Sequence, residues 1–148
     1  PDVAWTIPIS LGDSHRGYRV VGTSTDYFEH LRYAGDRKLA FSAGAPFADL
    51  YDAVIGADVA DALGYTVGTP IVVAHGTGTT IAKHDDQPFV VAGVLARTGT
   101  PVDKSVHVSL EALEAIHKNW RFGTRIGEAL TREQLAAADL TPRSITAF

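Results

Sequence analysis

An α+β fold is what the chain predicts, from three observations. Short β-branched and aromatic runs recur along it, brief amphipathic helical segments fall between them, and Gly-, Pro- and Asp-rich turn signals close each segment. No internal repeat, low-complexity tract or long linker interrupts the alternation. The 148 residues fit one domain with room for a sizeable core, and a 45% hydrophobic content with mean hydropathy near zero excludes wholesale disorder.

Each element follows from its local residues. "VAWTIPI" (Val3 to Ile9) and "YRVVGT" (Tyr18 to Thr23) read as a hairpin-like pair of strands separated by the turn-rich "LGDSHRG". Thr25 to Leu31 reads as one or two helical turns, capped by Thr25 or Asp26, with Tyr27, Phe28 and Leu31 facing inward. A strand at Ala53 to Ile55 leads into a short helix from Asp58 to Leu63, which Gly64 ends in the left-handed position beyond the last turn. A strand at Pro70 to His75 follows, then a Gly/Thr/Asp-rich loop from Gly76 to Pro88, then the buried strand "FVVAGVLA" from Phe89 to Ala96.

After a Gly-Thr-Pro turn, a short strand over Val106 to Val108 enters a helix with Ser109 as its N-cap. Glu111 and Glu114 sit toward the positive end of its dipole and Lys118 toward the negative end. Leu110, Leu113, Ile116 and Trp120 form its buried stripe, with His117 at the edge of that stripe as a packed, hydrogen-bonded residue. Trp120 and Leu113 are therefore expected in the core, and Asp85 and Asp86 in solvent. A Thr131 to Gln134 capping box starts a last short helix, and "RSITAF" reads as a final strand.

Composition narrows the function. A net charge of -4 and a pI near 5.8, with no Lys/Arg cluster, argue against a nucleic-acid binder, which needs a basic face against phosphates. Zero cysteines exclude a disulfide framework, a thiolate metal site and a Cys nucleophile. The absence of methionine and the start at Pro1 lead to the expectation of a piece cut from a longer chain. There is no signal peptide, and the Phe89 to Ala96 run is too short to span a bilayer, so any anchor is expected outside the sequence.

The search for chemistry returns structural explanations. No G-x-S-x-G elbow exposes Ser42 or Ser105 as a nucleophile, which disfavours a small hydrolase. "HGTGTT" (His75 to Thr80) has neither the lysine nor the following helix of a phosphate cradle and reads as a hairpin turn. His75, His84 and the Asp85/Asp86 pair could form a His-His-carboxylate site if the hairpin folds them together; a solvated loop is the alternative. Glu114 and His117 are half of a di-iron Glu-x-x-His pair, with no second copy. No catalytic, cofactor or metal residue is therefore assigned.

Three blocks carry a resemblance. "VVGTSTDYFEHL", "AVIGADVADALGYTVGTPIVV" and "PFVVAGVLARTGTPVDKSVHVSLEALEAIH" resemble, in that order, the periplasmic core domain of MacB-type ABC transporter permeases, a group that includes lipoprotein-releasing and cell-division permeases. The matching residues are Val20, Gly22 and Thr23; Tyr27 and Phe28; Val54, Ile55 and Gly56; Ala60, Leu63, Gly64 and Gly68; Phe89, Val91, Gly93, Val94 and Leu95; and Val106, Val108 and Leu110. They cover about residues 1 to 120 and are packing residues. Two departures are "LAFSAGAPF" (Leu39 to Phe47), where the family has a Gly-Arg-x-Phe segment, and the long loop from Gly76 to Gln87.

The resemblance implies a two-lobed extracytoplasmic domain inserted between the first and second transmembrane helices, on the periplasmic side of the inner membrane. A βα-type basal lobe would hold about 1–23 and 98–148, with a strand-rich inserted lobe at about 24–97. Strands Tyr18 to Thr23 and Val106 to Val108 would then share one lobe, and strands Pro70 to His75 and Phe89 to Ala96 would pair in the other. "RTGTPVDKS" (Arg97 to Ser105) would be the return crossing. The implied role is non-enzymatic and needs no cofactor: the domain relays ATP-driven helix movement, with a cytoplasmic ABC ATPase, a periplasmic adaptor or substrate-binding protein, and a dimer in the full complex as partners. A periplasmic zinc-type module using His75, His84 and the Asp85/Asp86 pair is the alternative.

Overall fold

The computed structural model describes residues 3–75, 82–83, 88–119 and 145–146. The chain runs β1 (Ser10–His15), β2 (Tyr18–Thr23), α1 (Asp26–His30), β3 (Arg32–Tyr33), β4 (Arg37–Lys38), β5 (Phe41–Gly44), β6 (Asp52–Ile55), α2 (Ala57–Leu63), β7 (Pro70–Ile71), β8 (Ala74–His75), β9 (Ala82–Lys83), β10 (Phe89–Leu95), a 3-10 helix (Pro101–Lys104), β11 (Ser105–Ser109) and α3 (Leu110–Asn119). This is an α+β fold. Nine of the described strands form one mixed sheet in the order β5-β10-β6-β11-β2-β1-β8-β9, with β7 also on β10, while β3 and β4 make a small hairpin of their own.

The sheet curls because one segment serves both of its ends. Pro70 and Ile71 pair antiparallel with Val90 and Phe89, and three to four residues later Ala74 and His75 pair with Ser14 and Asp13 of β1. The path from β10 through β6, β11, β2 and β1 thus returns to β10 along the chain itself, from β8 back to β7. The expected pairing of the Pro70 and Phe89 strands is found, but only over the first part of the former.

The two-lobe expectation for the strands is not met in the ladder. β6 pairs with β10 on one side and β11 on the other, so Tyr18 to Thr23, Val106 to Val108 and Phe89 to Leu95 all lie in one continuous sheet. The physical reason is that β6 and β11 are both buried on both faces, and a strand with no solvent face needs neighbours on each side.

The first hairpin also differs from its expected form. β1 occupies most of the segment read as a turn, and the turn itself is only Arg16-Gly17, both with positive φ (48° and 85°). That two-residue connection matches the twist of paired strands. Sequence patterning hides β1 because its inward residues, Asp13 and His15, are polar. The start of β1 is held in addition by Thr146, whose N–H donates to the Ile9 carbonyl (2.8 Å) and whose Oγ1 accepts from Leu11 N–H (3.0 Å). The Thr131 to Gln134 capping box, Trp120 and most of the final strand lie outside the described residues.

Alternation along the strands divides the core in two. Val20, Ala53, Ile55, Val106 and Val108 face the main cluster with Ile71, Phe89 and Val91, closed by Leu113 and Ile116 of α3. Val54 and Leu95 face the opposite side and meet Tyr27, Phe28 and Leu39. Both short helices form as expected: Tyr27 and Phe28 are buried, although Thr25 makes no side-chain cap, and Gly64 ends α2 at φ 68°. Ser109 caps α3, its hydroxyl accepting from Ala112 N–H at 3.1 Å. Gly22 lets Leu113 lie directly on β2, since a Cβ there would overlap the leucine side chain.

Candidate functional site: the Arg97–Ser105 crossover

The connection from β10 to β11 passes over the end of β6 and is tied down along most of its length. Its centre is Asp103, 3% exposed. One carboxylate oxygen accepts from Thr98 N–H (2.8 Å) and the Thr98 hydroxyl (2.9 Å), and the other accepts from Gly99 N–H (2.8 Å). Burial pushes this carboxyl up, but the hydrogen bonds from Thr98 and Gly99 and the nearby Arg97 charge outweigh it and hold Asp103 below the usual carboxylate range.

Local sequence explains the shape. Gly99 has φ 74°, a left-handed conformation that glycine adopts without a Cβ clash. Pro101 starts the 3-10 helix, where its fixed φ suits the first turn and its missing N–H is not needed. Thr100 caps that turn, its Oγ1 accepting from Val102 N–H at 3.3 Å, and the Ser105 hydroxyl donates to the Pro101 carbonyl at 2.9 Å.

The crossover is also bound to α2. Arg97 forms ion pairs with Asp58 and, at 2.6 Å, with Asp61 of that helix. Gly56, immediately before α2, donates its N–H to the Ser105 carbonyl (2.9 Å). A Cβ on Gly56 would strike the backbone of Val102 and Asp103, so only glycine allows this approach. Beside the turn lies an open cavity of about 600 Å³ lined by Arg19, Asp58, Arg97, Thr100 and Lys104, among others.

A second polar contact crosses the sheet at His107 of β11, which is fully buried. Its Nδ1 donates to the Val54 carbonyl of β6 (2.9 Å), and its Nε2 accepts from the Tyr27 hydroxyl of α1 at 3.2 Å. Burial lowers the His107 pKa to about 4 and, for the same reason, raises that of Tyr27 to about 12. Nothing in the sequence marks this histidine except its place between two valines in an alternating strand.

The remaining histidines separate. His15 is buried, with Nδ1 donating to the Val72 carbonyl (2.6 Å) and Nε2 accepting from Tyr65 (2.8 Å), and burial lowers its pKa. His117 is the half-buried edge residue expected of it: its Nε2 lies 3.2 Å from the buried Asp13 carboxylate, and that hydrogen bond raises its pKa against the effect of burial. His30 stacks on Trp5 at 4.5 Å. Of the suggested metal set, the backbone of His75 lies in β8, while His84, Asp85 and Asp86 lie outside the described residues. Among the described residues, Asp26, Glu29 and His30 are the group whose ligand atoms come within 4.8 Å of one another, on α1, with Glu29 exposed and the other two half-buried.

A family model for the MacB-like periplasmic core domain matches residues 1–139. The chain belongs to that family. The MacB-like domain is the periplasmic domain of an ABC-transporter-type permease, which places this chain on the extracytoplasmic side; the family is a transporter family and not an enzyme class. No curated protein matches the chain. Among the described residues no helix is long and apolar enough to cross a membrane.

Proposed function

We propose that this MacB-like domain relays ATP-driven movement of a permease's transmembrane helices to periplasmic substrate or partner proteins, with the Arg97–Ser105 crossover as its joint. The observation that carries the reading is the bonding of that crossover: Asp103 and Ser105 on one side are fixed to Thr98, Gly99 and Gly56 on the other. A turn bound this way moves as a block and passes displacement on without absorbing it. The division into segments 1–23 with 98–148 and 24–97 belongs to this proposal. Their seam includes the antiparallel β6–β11 pairing, reinforced by His107 on Val54 and Tyr27, and the β1–β8 pairing. A cytoplasmic ABC ATPase drives the movement, a periplasmic adaptor or substrate-binding protein receives it, and the full complex is a dimer.

The test is a transport or resistance assay of the full-length permease carrying Pro101→Gly, compared with His75→Ala and His84→Ala. Pro101→Gly frees the φ of the first residue of the 3-10 helix and leaves the fold intact, with a stability loss of about 0.4–1 kcal/mol through the freer unfolded chain. Transport falls relative to ATP hydrolysis while the ATPase still binds, and the histidine variants behave as wild type. Failure of the histidine variants beside a normal Pro101→Gly would replace transmission with a metal-dependent role.

A further inference from the structure

Residues of β1, β2, α1, β3 and the 3-10 helix line an open groove of about 350 Å³. Its walls are mainly hydrocarbon, from Ile9, Leu11, Val21, Leu31, Tyr33 and Val102, with Arg32 also on the lining. At one end stands Arg19, which also lines the cavity beside the 97–105 turn, together with Lys104. Among the described residues the Arg19 side chain has no ion pair or hydrogen bond, in contrast with Arg97 on its two aspartates and Arg32 near Asp36. A cation without a partner among the described residues, at the mouth of a mainly apolar groove, is complementary to one kind of ligand.

We propose that this groove binds a single-chain anionic amphiphile, its hydrocarbon tail between β1, β2 and α1 and its carboxylate-like head on Arg19, with Lys104 beside it. The volume lies at the small end of the range of about 300–1,000 Å³ for ligand sites, which suits one acyl chain better than two. The walls favour a hydrocarbon over a peptide: an extended peptide carries N–H and C=O groups that each need a partner when buried, and the Tyr27 and Ser105 hydroxyls on the lining are already committed to His107 and the Pro101 carbonyl. A hydrocarbon tail has no such requirement. Charge supplies the other half of the fit: of the two guanidiniums on the lining, Arg32 is held by the Glu29 and Leu31 carbonyls, which leaves Arg19 to pair a single anionic head and orient the tail inward. The groove borrows Thr100, Pro101, Val102 and Ser105 from the crossover, but ligand binding is read without a transport assay and so is tested apart from the transmission role.

Calorimetric titration of the 148-residue chain with octanoate, decanoate and laurate, each below its micelle concentration, tests this, with octanol as the uncharged control. One saturable site is expected, tightening roughly fourfold for each added CH₂ while the groove fills, from about 0.8 kcal/mol per buried CH₂ and about 1.36 kcal/mol per tenfold change. Arg19→Gln weakens carboxylate binding roughly threefold to fivefold, the size of a partly exposed ion pair, and leaves octanol unchanged. Leu11→Asp, at a position already 40% exposed and so safe for folding, removes the chain-length dependence. Amide shifts at Val21, Leu31 and Val102 locate the ligand. The proposal is overturned by no saturable binding, by affinity indifferent to both substitutions, or by binding to phospholipid vesicles without binding to the monomeric carboxylates.

Discussion

Acidification should destabilise this domain through His107 before its carboxylates titrate. The ring is fully buried, its Nδ1–H is committed to the Val54 carbonyl, and burial lowers its pKa from 6.5 to about 4. A depressed histidine pKa means that the unfolded chain takes up a proton between pH 6.5 and 4 while the native chain does not. The stabilising effect of the neutral ring is therefore fully present above 6.5 and is lost as pH falls toward 4. The slope approaches about 1.36 kcal/mol per pH unit in that window, and integration from pH 7.5 to pH 4.5 gives about 2.5 kcal/mol.

Urea unfolding at pH 7.5, 6.5, 5.5 and 4.5 measures this, beside His107→Gln, which can still donate to Val54 and has no proton to gain. The variant starts less stable, because its fit against Tyr27 and Phe28 is poorer, but it loses about one proton's worth less slope between pH 6.5 and 5. His15 contributes in the same direction to both proteins, since burial lowers its pKa too. His117 acts at the other end: its raised pKa gives stability present below 6.5 and lost as pH rises through the folded value. Equal slopes for wild type and His107→Gln, or an imidazole resonance of His107 titrating near 6.5, would refute the reasoning.

Three further outcomes are expected. Leu113→Ala, which empties a buried site over Gly22, costs about 2–5 kcal/mol by urea unfolding, whereas Asp85→Asn with Asp86→Asn leaves stability within about 0.5 kcal/mol. Asp103→Asn leaves either Thr98 or Gly99 without its acceptor and costs about 1–3 kcal/mol at pH 7, a difference that narrows as pH falls through the depressed pKa of the native aspartate. Gly56→Ala forces α2 off the crossover backbone and costs about 1–3 kcal/mol, with loss of hydrogen-exchange protection at the Gly56–Ser105 bond; unchanged protection would mean that the approach is not as close as described.

The sequence by itself determined the elements whose signals are local. Gly64 ends α2, Ser109 caps α3, and the valine-rich runs at Ala53, Phe89 and Val106 are strands, because caps, positive-φ glycines and two-residue alternation act over a few residues. The same packing residues sufficed to reveal the MacB-like family. What only the tertiary structure decided are the partnerships of polar groups. Asp13 and His15 look like turn residues until His117, Tyr65 and the Val72 carbonyl supply their hydrogen bonds from 50 or more positions away. Asp103 and His107 are ordinary letters until burial and the backbone of Thr98, Gly99 and Val54 fix their charge states. The single curled sheet belongs to the same class, since Pro70 and Ile71 turn to β10 while Ala74 and His75 turn to β1, a choice made by the strands on either side and not by the residues within the segment.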